Sequence, residues 1–199
     1  TKNPVDIDSA SGQIFTYDSP FFEFGERTYF REFNVEITRK ISRDYKLILT
    51  YLNQLYDRDI LEAEGAGKFG KVRANILIAD LTYKISSAYA LRVELQSMLA
   101  KQDSVLHEPD NQNGDWLMGL AELTISPNWY ISLADSWNHG NEFEDRKIHY
   151  INTALTYVYD ATRVSLGFGR QRQGIVCVGG VCRPVPASNG LLMSISSSF

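Results

Sequence analysis

The sequence predicts an all-β fold: an antiparallel up-and-down transmembrane β-barrel, of which these residues supply nine or ten C-terminal strands of a larger barrel. Three observations predict it. From Thr28 to the end, apolar residues recur at every second position, the period of a strand with one apolar and one polar face. Short turns alternate with long polar loops, the asymmetry of short periplasmic turns and long extracellular loops in outer-membrane barrels. Tyr45, Tyr89 and Trp129 restart the strand after three of the four short turns, and Tyr157 and Tyr159 flank the fourth. That is the placement of an aromatic girdle at a membrane interface. A soluble β-sandwich also alternates, but has no need to hold its aromatic residues at one level.

Composition narrows the class. A chain of 199 residues suits one domain. A net charge of −4 without a basic stripe argues against nucleic acid as a partner. No apolar run approaches the roughly 18 residues of a membrane helix. That does not exclude barrel strands, which are short and alternating. The chain opens at Thr1-Lys2-Asn3-Pro4 without a signal-peptide pattern, and reads as a mature fragment.

Residues 1–27 read as an extracellular loop with a short strand near Gly12–Tyr17, and 28–199 as the barrel strands. Thr28–Ile41 carries Phe33, Val35, Ile37 and Ile41 on one face. Ser42-Arg43-Asp44 turns, and Tyr45–Tyr56 follows with Leu47, Leu49, Tyr51 and Leu55. After a loop at 57–72, Arg73–Ile85 sets Leu77, Ala79, Leu81 and Tyr83 against Asp80, Thr82 and Lys84. Ser86-Ser87-Ala88 turns into Tyr89–Ala100, which carries Leu91, Val93, Leu95 and Leu99. A second loop precedes Asp115–Ile125, Ser126-Pro127-Asn128 turns, and Trp129–Asn138 follows. A third loop at 139–146 leads to Lys147–Tyr159, Asp160-Ala161 turns, and Thr162–Arg172 follows. The fourth loop runs to about Ala187, and Ser188–Phe199 closes the chain. Three turns share a repeat, Ile41-Ser42-x-x-Tyr45, Ile85-Ser86-x-x-Tyr89 and Ile125-Ser126-x-x-Trp129, each copy one hairpin further on. Nine strands are odd, whereas single-chain bacterial barrels are even. A tenth strand within 1–27, or further strands upstream of Thr1, is therefore expected.

The polar face supplies the candidate lumen. Glu32, Glu36, Lys40, Lys46, Asp80, Lys84, Arg92, Glu94, Glu122 and Arg163 alternate with apolar residues. They are expected to line an interior where water or opposite charge stabilises them. Asp135 breaks the rule: its parity puts it on the lipid face, six residues beyond Trp129. A bare carboxylate there costs about 2–3 kcal/mol. Either a bulge shifts the phase after Leu133, or Asp135 with Gly119 and Ala121 forms a face for a protein partner. The bulge is the commoner device.

In Cys177-Val178-Gly179-Gly180-Val181-Cys182, Gly-Gly is a favoured hairpin turn. With it as the loop, the cysteines face each other at a non-hydrogen-bonded pair, with Cα atoms about 4.5 Å apart. That suits a disulfide and an exported location. Two free thiols in a cytosolic loop are the competing reading. Two thiolates without a nearby His fall short of a metal site, and no metal or cofactor is expected. Gly65–Lys71 has the spacing of a phosphate-binding loop but lacks the following Ser or Thr and the helix. Asp110–Asp115 misses calcium-loop spacing. His107, His139 and His149 could join Asp135 or Glu142 in a hydrolytic site at the rim, but no nucleophile has a defined partner. No enzyme activity is expected.

Leu191, Met193, Ile195 and the terminal Phe199 resemble the C-terminal signal that bacterial barrel-assembly machinery reads. The block Arg170–Leu191, with Cys177-Val178-Gly179-Gly180-Val181-Cys182-Arg183 at its centre, resembles the signature of an uncharacterised Bacteroidota outer-membrane β-barrel family. The resemblance implies place and fold; it carries no catalytic residue. The expected protein sits in the bacterial outer membrane as a structural or accessory subunit of a protein complex, with a pore for small solutes as the alternative. Its expected partners are outer-membrane lipids, the assembly machinery and other outer-membrane proteins.

Overall fold

The computed structural model describes residues 6–7, 14–15, 28, 30–58, 70–102, 114–172, 174–178, 181–185 and 187–197. Nine strands form one antiparallel sheet: β3 (Phe30–Lys40), β4 (Tyr45–Asp57), β5 (Lys71–Lys84), β6 (Tyr89–Gln102), β7 (Trp116–Ile125), β8 (Trp129–Trp137), β9 (Asn152–Tyr159), β10 (Thr162–Gln171) and β13 (Ser188–Ser197). Two shorter pairs stand apart from it: β1 (Asp6–Ile7) with β2 (Ile14–Phe15), and β11 (Gly174–Val178) with β12 (Val181–Val185). Each strand of the large sheet pairs with its neighbours in the chain, with only β11 and β12 inserted between β10 and β13. The result is an up-and-down meander whose outer strands are β3 and β13. Among the described residues no helix is long and apolar enough to cross a membrane, which says nothing of strands.

The nine strands are those the alternation predicts. The largest shift in bounds is in β9, expected from Lys147 and observed from Asn152. Its predicted start still tracks β8: Tyr150 N–H donates to Ser136 O at 2.9 Å and Asn138 N–H to Ile148 O at 3.2 Å. A 3-10 turn at Glu144–Arg146 occupies the preceding loop.

The turn repeat has a local cause. Ser42 Oγ accepts the N–H groups of Asp44 at 3.1 Å and Tyr45 at 3.2 Å. Ser86 Oγ accepts those of Ala88 and Tyr89 at the same distances, 3.1 and 3.2 Å. A serine hydroxyl that captures donors two and three residues on fixes a compact turn. The three repeat turns also dock on the next hairpin, with Asp44 O taking Lys84 N–H at 2.7 Å, Ala88 O taking Ser126 N–H at 2.8 Å and Asn128 O taking Val158 N–H at 2.8 Å. At the loop end, Gly140 N–H bonds Asp115 O at 3.1 Å. A Cβ on Gly114, whose φ is +96°, would stand 2.3 Å from Gly140 O, so two loops clasp where only glycine fits.

The sheet exposes its apolar face and shields polar side chains on the other. On one face Leu77 and Leu95 are each 58 % exposed, Phe168 65 % and Leu191 73 %. On the other face Glu94, Glu122, Ser132, Thr156 and Ser165 are buried. Among the described residues, eight buried residues are polar or charged and four are apolar. Burial without partners would be costly, so the shielded face needs an internal network.

Candidate functional site

Register assembles that network. The cross-strand row Lys40, Lys46, Thr82, Arg92, Glu122, Ser132 runs from β3 to β8 on the polar face. The row beside it sets Asp80 of β5 opposite Glu94 of β6. Like charges directly opposed repel. Arg92 lies between them: its Nε donates to Asp80 Oδ2 at 2.6 Å and its Nη2 to Glu94 Oε2. Gln96 donates to the other Glu94 oxygen, and Glu122 stands directly across from Arg92. A planar fork of fixed donors is suited to linking carboxylates in this way. Beyond it, the hydroxyls of Thr156 and Ser165 meet at 2.8 Å.

The remaining polar-face charges differ by strand. Every residue of β3 is exposed. Glu32 accepts from Asn34 at 3.0 Å and from Gln54 at 2.7 Å, and Glu36 accepts from Thr38 at 3.3 Å. Arg163 lies 5.9 Å from the Tyr130 ring centroid. Lys40, Lys46 and Lys84 stand with Arg43 around a cleft of about 540 Å³ at the turn end of β3, β4 and β5.

Toward the loop end a second group assembles, which the sequence did not disclose. Trp116 is buried; Arg172 stacks over it at 4.4 Å, and Tyr150 packs on it at 5.9 Å. Arg170 covers Tyr150 in turn at 5.1 Å. A cavity of about 140 Å³ borders Trp116, Arg172, Gln96 and Ser136. The residues come from β6, β7, β8, the segment before β9, β10 and the residue after it, so no local motif marks them.

On the apolar face, Tyr89, Trp129 and Tyr157 share one row with Ile125 between the first two. Trp129 packs on Tyr157 with ring centroids 4.6 Å apart, and Tyr45 stacks on Tyr83 at 4.4 Å and 7°. Tyr83 thus joins the aromatic set, while Tyr159 stands 67 % exposed at the fourth turn, opposite Thr162. Leu191, Met193 and Ile195 line the exposed face of β13; Phe199 lies outside the described residues.

The bulge expected after Leu133 is absent. Register between β7 and β8 runs unbroken from Leu117 opposite Trp137 to Ile125 opposite Trp129. Asp135 therefore stays on the apolar face, directly across from Gly119, with Ala121 opposite Leu133. Its Oδ2 lies 2.7 Å from His149 Nδ1, and the His149 ring stacks on Trp137 at 5.0 Å and 10°. His149 lies in the segment before β9, joined to Trp137 by an isolated bridge, so it reaches Asp135 diagonally. Of the histidines considered for a hydrolytic site, two are described: His149 is brought to Asp135, and His139 packs against Trp137 at 5.3 Å; His107 lies outside the described residues. Among the described residues no group of three or more His, Cys, Asp or Glu is placed to hold a metal.

Register also sets Cys177 opposite Cys182 and Val178 opposite Val181. Most of the glycine-rich 65–71 segment and of 110–115 lies outside the described residues. Asp115, at the end of the latter, uses its Oδ1 to accept the Ala100 N–H at 2.8 Å, a structural latch.

Residues 2–199 match the model of a family described as "Family of unknown function (DUF6029)". No curated protein and no solved structure matches the chain.

Proposed function

The chain belongs to this family of unknown function, and from that premise we propose that it is an integral outer-membrane β-barrel protein, without enzymatic activity, serving as a structural or accessory subunit of an outer-membrane complex. The observation that carries the reading is the inverted sheet: exposed leucines on one face, and buried Glu94 and Glu122 on the other. Exposed apolar area of this extent needs a cover. Lipid covers a band on all strands at once, and aromatic residues at its turn-side margin fit the headgroup level. The Cys-x-Gly-Gly-Val-Cys-Arg segment (Cys177–Arg183) supports a Bacteroidota origin and a disulfide formed on export.

Strand parity sets what closure would require. In a nine-strand meander β3 and β13 run in the same direction. An all-antiparallel barrel therefore needs an odd number of further strands between them, which gives the even count of bacterial barrels.

The subunit reading is favoured over the pore by the Asp80–Arg92–Glu94 cluster, which occupies the middle of the polar face with paired side chains. Asp135 and His149 add a polar contact on the apolar face. The pore reading draws on the lysine-lined cleft at the turn end. The test is to extract the full-length protein from outer membranes in mild detergent and determine the mass and composition of what co-purifies. Stoichiometric partners support the subunit reading. A lone barrel with single-channel conductance overturns it in favour of the pore.

A further inference from the structure

We propose that the turn-end cleft between β3, β4 and β5 binds a phosphate group. Lys40 and Lys46 are direct cross-strand partners, which puts their Cβ atoms about 5 Å apart. Lys46 is opposite Thr82, so Lys84, two residues on, is its diagonal neighbour on the same face. Arg43 projects from the turn between β3 and β4 and lines the same cleft. Four cations thus surround a space of about 540 Å³ whose lining holds one carboxylate, that of Asp44.

The contrast with the centre of the same face is the key observation. There, opposed Asp80 and Glu94 are joined by Arg92. At the turn end, opposed Lys40 and Lys46 have no such link: among the described residues, none of Lys40, Arg43, Lys46 or Lys84 is ion-paired with a carboxylate. Directly opposed like charges destabilise a sheet, and an anion between them converts repulsion into attraction.

The arrangement selects the anion. Ammonium donors arrive from three strands and a guanidinium from the turn. A tetrahedral phosphate offers three or four acceptor oxygens in different directions, whereas a carboxylate offers two in one plane. The cleft exceeds the size of the bare ion and leaves room for an ester substituent. Free phosphate and the phosphodiester of a phospholipid headgroup share tetrahedrally diverging anionic oxygens, three or four in the free ion and two in the diester. The inference rests on the cleft itself and holds whether or not the sheet is in a membrane.

The experiment uses the full-length protein in neutral detergent micelles. Inorganic phosphate is titrated by calorimetry at constant ionic strength against chloride. Retention of phosphatidylglycerol over phosphatidylcholine is read by native mass spectrometry. Lys46→Gln and Lys84→Gln are compared with Lys101→Gln, at the loop end of β6, as control. We expect saturable binding, weakened about tenfold by either cleft substitution and unchanged by the control. We also expect Lys46→Gln to raise unfolding resistance in phosphate-free buffer, since it removes a repulsion, which separates loss of a site from loss of folding. Binding of phosphate alone identifies the free ion as ligand; retention of phosphatidylglycerol alone identifies the headgroup. Absence of saturable binding by either probe, or equal effects of all three substitutions, overturns the proposal.

Discussion

Asp135 Oδ2 and His149 Nδ1 meet at 2.7 Å on the apolar face of the sheet, where the register leaves Asp135 no route to the polar side. The pair explains how a carboxylate is kept at a position where its neighbours across the strands are Gly119 and Leu95. Under a lipid cover, removing one member should cost more than removing both, because a carboxylate left there without its partner is the expensive state. In a double-mutant cycle, Asp135→Ala and His149→Ala should couple by about 1–3 kcal/mol in urea unfolding from micelles. Additive effects would show that the contact contributes nothing.

Leu95 tests what covers the apolar face. In water, replacing a 58 % exposed leucine is close to neutral, within about 0.5 kcal/mol. Facing lipid near the bilayer midplane, Leu95→Arg should cost about 2–4 kcal/mol and slow insertion into vesicles. The same substitution at Thr50, on the polar face opposite Glu36, should be far milder. Equal tolerance at both positions would remove the membrane reading.

Arg92 holds the interior network. Arg92→Ala leaves Asp80, Glu94 and Glu122 together without the guanidinium that links the first two. The expected loss is about 3–5 kcal/mol, the range for breaking a buried pair from one side. If the sheet closes into the proposed barrel and the cluster blocks its interior, conductance in planar bilayers should rise in the variant that still folds. A change of less than about 1 kcal/mol would place these charges in the class of exposed pairs.

Cys177 and Cys182 are register partners in the β11–β12 hairpin. Protein recovered from an oxidising compartment should carry one intramolecular disulfide, seen as the loss of two hydrogens in intact mass and restored by reductant. Cys177→Ser should leave the unfolding of the nine-strand sheet unchanged, because the hairpin forms its own two-stranded sheet. Two free thiols in protein recovered from that compartment would contradict the pairing.

Much of this fold could be read along the chain. Leu77, Ala79, Leu81 and Tyr83 alternate with Ile78, Asp80 and Thr82 whatever they are paired with, because side-chain direction in a strand is local geometry. The Ile-Ser-x-x-Tyr repeat was equally visible, since its serine acts on donors two and three residues away. Asp135 marks the limit. Its parity placed it on the apolar face, but choosing between a bulge and a straight strand required the pairing with β7. Its partner, fourteen residues on, lies across a loop that no period describes.

The strands, their two faces and the turns that join them were legible along the chain, because each depends on contacts within a few residues. The tertiary structure decided which charges meet: Arg92 with Asp80, Lys46 with Lys40, Asp135 with His149, Arg172 with Trp116. Those meetings depend on register. A shift of one residue would turn every side chain of a strand to the other face, and a shift of two would replace every cross-strand partner. Turn geometry and the burial of one face set the register together, which is why the same alternation that announces a strand is silent about its partner.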